Sequence, residues 1–266
     1  MYPFDYQRPL TVKDAVAAAA ADDDGAYLAG GMTLLPSMKL RLSRRSRLVD
    51  LAAIPELSGI QADGSLLHIG AMTKHVDVAS SPVVRNALPA LALLAGGIGD
   101  PQVRNRGTIG GSLANSDPSA DYPAAVLALD ARIVTNLREI AAGDFFQGMF
   151  STALKTGELI LRVSFPIARR CAYIKYRNPA SRYAVVGVMV AETAAGVRVA
   201  VTGAGSHAFR LPAFEAALTR QFSPDAVRSL TVSSEGLNED MHASAEYRAN
   251  LISVMAARAV AAALQS

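Results

Sequence analysis

The chain has 266 residues, 51% of them apolar and 18% charged, which fits a folded protein of two or three modest domains and excludes a disordered one. Its 26 basic and 23 acidic residues leave a net charge of +3, too small an excess to argue for nucleic acid, although a pI near 9.1 gives a mild bias toward anionic ligands. The one cysteine, Cys171, excludes an internal disulfide and any cysteine-ligated iron–sulfur cluster or structural zinc held by this chain alone.

From the N-terminus, Thr11 with Asp14 three residues on is a capping-box-like start for a helix through "VAAAAA", ended by Gly25. The acidic "DDD" after the alanines and the lack of a basic leader argue against a signal peptide. No segment approaches the ~18 uninterrupted apolar residues of a membrane span. A cytoplasmic location is therefore expected. "AYLA" is a short buried strand stopped by Gly30-Gly31, and "SRLVDL" (46–51) is a second strand, so the glycines fall at the carboxyl end of a strand in a small α/β unit.

A second unit starts near Ile54. "SLLHIGAMT" alternates as a strand, and "PVVRNALPALALLAGGIG" supplies one or two short helices. "RNRGTIGGSLANSDPSAD" (104–121) holds too much glycine for a comfortable helix and is expected to be a loop. "YPAAVLALDARIVT" runs from helix into strand, and "ELILRVSFP" is a strand closed by proline. From Arg169 onward, "CAYIKYRN", "YAVVGVMVAET" and "VRVAVTGAG" have the spacing of a three-stranded meander. Two helices close the chain, one capped at Ser223-Pro224 and one over "SAEYRANLISVMAARAVAAAL". The expected class is α+β: a two-lobed α/β domain over 1–168, with lobes of about 1–53 and 54–168, followed by a small α+β domain over 169–266.

The chemistry concentrates in the glycine-rich stretches. In "RGTIGGS", Gly107, Gly110 and Gly111 leave backbone amides bare, and Thr108 and Ser112 add hydroxyls, an arrangement suited to a pyrophosphate. A tight turn that merely needs glycine is the plainer reading. "AGGMT" makes the same offer through Gly30, Gly31 and Thr33. Two such loops suggest one long ligand with two phosphates, and neither matches a nucleoside triphosphatase loop. Asp117 and Asp121 suit ribose or ribityl hydroxyls or an adenine amino group, while Asp117 could instead cap a helix after Pro118.

"GAGSHA" (203–208) has dinucleotide-fingerprint spacing but opens no helix at its glycines, so it is set aside. The basic run "KLRLSRRSR" (39–47) reads as a solvated face, with docking to an acidic partner as the minority reading. Lys175, on a strand between Tyr173 and Arg177, could stabilise negative charge on an electron-rich heterocycle, or simply snorkel at the surface. His68, His75, His207 and His242 show no metal spacing.

Taken in order, "AGGMTLLPSMKLRL", "IGAMTKH" and "RNRGTIGGSLANSDPSADYPAA" resemble the FAD-binding medium subunit of the xanthine dehydrogenase/carbon monoxide dehydrogenase family of molybdenum hydroxylases, and the resemblance covers essentially the whole chain. It implies a PCMH-type FAD domain and a flavoprotein-like C-terminal domain. It also implies pyrophosphate contacts from Ala29, Gly30, Gly31, Met32, Thr33 and Leu34 and from Thr108, Ile109, Gly110, Gly111 and Ser112. A further stretch holds Asn115, Asp117 and Asp121. Ile160 and Ile98 are implied apolar contacts, and Lys175 the lysine that approaches the flavin ring. Met32 replaces a residue that is often polar in the family.

By the same resemblance, FAD is bound non-covalently, since neither cysteine nor histidine is expected in the loops facing it. The molybdenum cofactor belongs to a large partner subunit and [2Fe–2S] clusters to a small one, with no metal on this chain. The assembly implied is a dimer of heterotrimers. Electrons would pass from the clusters through FAD to an external acceptor. A stand-alone flavin oxidase of the same fold, or a basic RNA- or partner-binding module, are the rival readings.

Overall fold

A computed structural model describes residues 1–265. The first helix, Val12–Ala20, starts where Thr11 caps it: the Thr11 side chain accepts from the Asp14 amide and donates to the Asp14 carboxylate. Its apolar side packs on a three-stranded parallel sheet ordered Asp5–Gln7, Arg47–Asp50, Gly25–Leu28. In a parallel pair the strands' carboxyl ends lie together, so the Ala29–Thr33 turn leaves the sheet beside the end of Arg47–Asp50.

The second sheet is antiparallel, ordered Ile60–Ala62, Leu66–Gly70, Ile160–Pro166, Arg132–Thr135, Glu139–Ala141. The strand expected over "ELILRVSFP" is its central member, and its inward side chains Val163 and Phe165 are fully buried. Three short helices, His75–Ser80, Pro82–Ala87 and Pro89–Gly96, bring Val78, Val84 and Leu91 into the same core. Helix Tyr122–Ala128 is buried at all seven positions, as its unbroken apolar sequence requires.

The third sheet is ordered Arg170–Arg177, Ala184–Thr193, Gly196–Thr202, Phe209–Arg210. The expected meander is present, with a two-residue fourth strand added. Helix Ala245–Ala263 lies against this sheet and buries Leu251, Ile252, Met255, Ala256, Ala259 and Val260. Helices Pro212–Arg220 and Pro224–Arg228 complete the unit, three helices rather than two. One hydrophobic core runs from the second sheet into the third and joins Leu67 and Phe165 to Cys171, Met189 and Ala200. After Gly203 the chain turns into the short edge strand, and no helix opens at the "GAGSHA" glycines.

One expectation fails. The glycine-rich stretch is not an open loop but two short helices, Pro101–Arg106 and Ile109–Asn115. Asp100 caps the first by accepting from Val103, and Thr108 caps the second by accepting from Gly111. Gly110 sits inside a helix because a Cβ there would lie 2.6 Å from the Ala71 Cβ and 2.8 Å from the Ala71 carbonyl oxygen. Close packing, rather than backbone freedom, demands this glycine. Among the described residues no helix is long and apolar enough to cross a membrane.

Candidate functional site

The three sheets converge on a cleft of about 670 Å³, within the range of small-molecule and cofactor sites. The parallel sheet supplies the turn Ala29–Leu34. The second unit supplies Ile98, the helix beginning at Thr108, and the wall Glu158–Ile160. The third unit supplies the segment Ala180–Tyr183.

The two glycine-bearing segments expected to cooperate are in contact. A Cβ on Gly30 would lie 2.2 Å from the Arg106 carbonyl oxygen and 2.7 Å from the Gly107 Cα. From the other side, a Cβ on Gly111 would lie 3.2 Å from the Ala29 Cβ. Their hydrogen-bonding states differ, and this corrects the expectation of two equivalent amide cradles. In the second segment the amides are spent internally: Ile109 on the Thr73 carbonyl, Gly110 on the Ala71 carbonyl at 2.8 Å, and Ser112 on the Thr108 carbonyl. Gly111 donates to the Thr108 hydroxyl oxygen at 3.1 Å. In the first segment the N–H groups of Gly30, Gly31, Met32 and Thr33 donate to nothing among the described residues. A run of four free amides at Gly30–Thr33 thus lies on the cleft, against a second segment in which the amides from Ile109 to Ser112 are engaged.

The remaining expected residues fall as follows. Thr108, Gly110, Ser112, Asn115, Asp117, Asp121, Ile98 and Ile160 line the cleft. Ile109 does not: it is fully buried in the core, pointing away. Asp117 caps no helix; its carboxylate accepts from Ser119 at 2.9 Å in a local turn. Burial pushes its carboxyl above the usual range, opposed by that hydrogen bond.

Lys175 is placed apart from these residues. It is not among the lining residues but lies behind Asp121, with its ammonium donating to Asp121 Oδ2 at 2.9 Å and to the Gly97 carbonyl at 3.0 Å. The Tyr173 hydroxyl donates to the other Asp121 oxygen. Side-chain exposure is 7% for Lys175 and 4% for Asp121. Alternation along Arg170–Arg177 turns Tyr173 and Lys175 to one side of the sheet, and the buried carboxylate there captures both. Burial pushes the Asp121 carboxyl up, and the Lys175 ammonium and Tyr173 hydroxyl oppose that shift. Asp121 is thus the member of this trio that borders the cleft.

Several lining residues carried no sequence signal of their role. Glu158 is held by the Arg138 guanidinium, the Lys155 amide and the Thr135 hydroxyl. Burial would raise its carboxyl, yet these bonds outweigh it and bring the pKa to about 2. His75 also lines the cleft, from the start of helix His75–Ser80 rather than from the glycine-bearing segments. Its ring is buried against Tyr122, centroids 5.4 Å apart, and its Nδ1 has no partner. Burial first, and the positive charge of Arg104 second, lower its pKa to about 4.

A histidine neutral in the fold must stay neutral while the unfolded chain protonates below its ordinary value of 6.5. The unfolded state then binds more protons, so stability falls with pH between 6.5 and about 4. Between pH 6.5 and 5 the expected loss from this group is about 2 kcal/mol. Urea unfolding of the ligand-free chain and of His75→Gln should show this slope in the first and not in the second. Equal slopes would remove His75 as its source. The contribution of Glu158 is lost separately, between pH 4.5 and about 2.

Free amides and an apolar wall on one cleft fit a cofactor carrying a diphosphate. Residues 2–168 match the family described as FAD binding domain in molybdopterin dehydrogenase. The chain belongs to this family. It is accordingly an FAD-binding component of an oxidoreductase. It is 36% identical to the carbon monoxide dehydrogenase medium chain of Hydrogenophaga pseudoflava, covering 98% of this chain and 96% of that one. With the nicotine 6-hydroxylase medium subunit of Paenarthrobacter nicotinovorans the identity is 33%, covering 96% and 95%. The solved carbon monoxide dehydrogenase from Hydrogenophaga pseudoflava that lacks the Mo-pyranopterin moiety superposes with a TM-score of 0.89 at 37% identity, over 100% of this chain and 99% of that one.

Within this FAD-binding family, the cleft meets the demands of the cofactor from its own residues. Gly30 to Thr33 offer four unoccupied donors in sequence, and oxyanions bind well to successive main-chain amides. Ile98, Leu154, Leu159 and Ile160 provide apolar wall.

Proposed function

We propose that this chain is the electron-transfer flavoprotein subunit of a molybdenum hydroxylase, holding FAD non-covalently between its lobes. The proposed partners are a small subunit bearing [2Fe–2S] clusters and a large subunit bearing the molybdenum cofactor, assembled as a dimer of heterotrimers. FAD, when bound, would supply two-electron storage with release in single steps, suited to a route from partner clusters to an external acceptor. Relatives of full length named as medium chains or subunits of carbon monoxide dehydrogenase and nicotine 6-hydroxylase support this reading.

The single observation that carries the reading is the run of free amides at Gly30–Thr33 facing a cleft with one apolar wall. Among the described residues no nucleophile–base pair is presented there. Glu158 is locked by Arg138, Asp121 by Lys175 and Tyr173, and His75 is neutral and buried. These side chains orient and enclose; they are not arranged to exchange protons with a substrate. The chain's contribution is thus binding, orientation and electrostatics, with the redox chemistry belonging to the cofactor.

The experiment is direct. The full chain mixed with FAD and freed of excess should be yellow, acid precipitation should release all the flavin to the supernatant, and small alcohols alone should leave the flavin band intact. Bleaching by alcohols would instead favour a stand-alone oxidase. A chain that stays colourless contradicts the proposal, and flavin retained in the acid pellet contradicts non-covalent binding.

A further inference from the structure

Arg45 is a charged residue of the cleft that the chain itself does not satisfy. It precedes strand Arg47–Asp50 on the N-terminal lobe and lines the cleft, yet it makes no hydrogen bond or ion pair among the described residues. Its Nε is buried without an acceptor. Buried donors are almost always hydrogen-bonded in folded proteins, so this one calls for an acceptor brought by a ligand. The acids on the cleft wall are already engaged: Asp121 with Lys175, Glu158 with Arg138, Asp100 with the Val103 amide and Asp117 with the Ser119 amide.

The local field selects the ligand's charge. Arg41, Arg44 and Arg47 stand within four residues of Arg45, and the acids near them, Asp5 at 3.7 Å and Asp22, act on Arg47, with Asp22 also accepting from the Ser46 hydroxyl. Arg41 and Arg44 lie instead over the Tyr2 ring, 5.4 and 5.6 Å from its centroid. A positive neighbourhood around an unpaired guanidinium favours an oxyanion. Stacking on a neutral ring would leave the Nε hydrogen unmet. The other cleft-lining cation without a side-chain partner, Arg182, stands on the third unit beside Tyr183, whereas Arg45 shares its lobe with the free amides of Gly30–Thr33.

We propose that Arg45 is an anion-binding residue for the diphosphate-bearing half of FAD, adding a formal positive charge to neutral main-chain donors. This inference rests on the FAD reading of the cleft. Its test uses the full chain with FAD, ADP and riboflavin as probes, in wild type, Arg45→Met and Arg45→Lys. Methionine keeps the apolar stem and removes the charge. The expected result is an affinity loss of roughly 10- to 100-fold for FAD and ADP in Arg45→Met, partial recovery in Arg45→Lys, and riboflavin unchanged. Unaltered FAD and ADP affinities in Arg45→Met would overturn the assignment while leaving the FAD reading intact. Equal losses for riboflavin and ADP would also overturn it, because the effect would then be one of shape. A wild-type chain that takes up neither FAD nor ADP would sink both.

Discussion

Replacing Lys175 with methionine is expected to destabilise the fold by about 3–5 kcal/mol. The change leaves the Asp121 carboxylate buried with only the Tyr173 hydroxyl to satisfy it, at 4% side-chain exposure. An ion pair removed whole costs far less than one removed by half. The double variant Lys175→Met with Asp121→Asn should therefore recover much of the loss. The pH dependence gives an independent check. In Lys175→Met the Asp121 pKa is raised in the fold, so the native state is favoured by protonation, and the deficit should be smaller at pH 5 than at pH 8. Denaturant titrations of the parent, Lys175→Met, Asp121→Asn and the double variant at both pH values measure this. A single variant as stable as the parent, or a double variant worse than either, would show that the pair does not hold Asp121 in place.

Replacing Gly30 with alanine should weaken FAD binding on the order of 100-fold, the loss of one or two charge-assisted hydrogen bonds. The added Cβ would meet the Arg106 carbonyl oxygen at 2.2 Å and the Gly107 Cα at 2.7 Å. Both are main-chain atoms, so no rotamer change relieves the clash. The turn Ala29–Thr33 must move away from the segment that braces it, and overpacking of this kind costs about 1–3 kcal/mol. Gly143→Ala is the matched control, since a Cβ there meets nothing within 4 Å. Fluorescence titration with FAD should separate the two variants. Tight binding by Gly30→Ala would mean that contact between the segments does not set the amide run.

Much of the architecture could be read before the structure because local signals agreed with one another. Thr11 and Asp14 cap as their spacing indicates, the strand Ile160–Pro166 is central as its apolar run implies, and the meander after Arg169 pairs in order. The glycine-rich stretch could not be read the same way. Glycine lowers helix propensity by about 1 kcal/mol, and what offsets it is tertiary: the Thr108 cap and the approach of Ala71 and Ala29. Contacts of that kind are not local in sequence.

The site shows the same division. The residues lining the cleft were visible as small and polar positions, but which amides are free depends on partners such as Thr73 and Ala71, more than thirty residues away in sequence. Lys175 stood on the right strand, yet its ammonium reaches Asp121 across 54 residues and stops there. Arg45 was hidden inside a charged run whose default reading is a solvated face. In the fold, Arg45 and Arg47 both bury their Nε, and Arg45 lines the cleft.

The most direct test of the account is a diffraction map of the full chain loaded with FAD. The account predicts diphosphate oxygens within about 2.7–3.2 Å of main-chain nitrogens between Gly30 and Thr33. A diphosphate seated on the helix Ile109–Asn115 alone, or a flavin bound outside the cleft altogether, would contradict it.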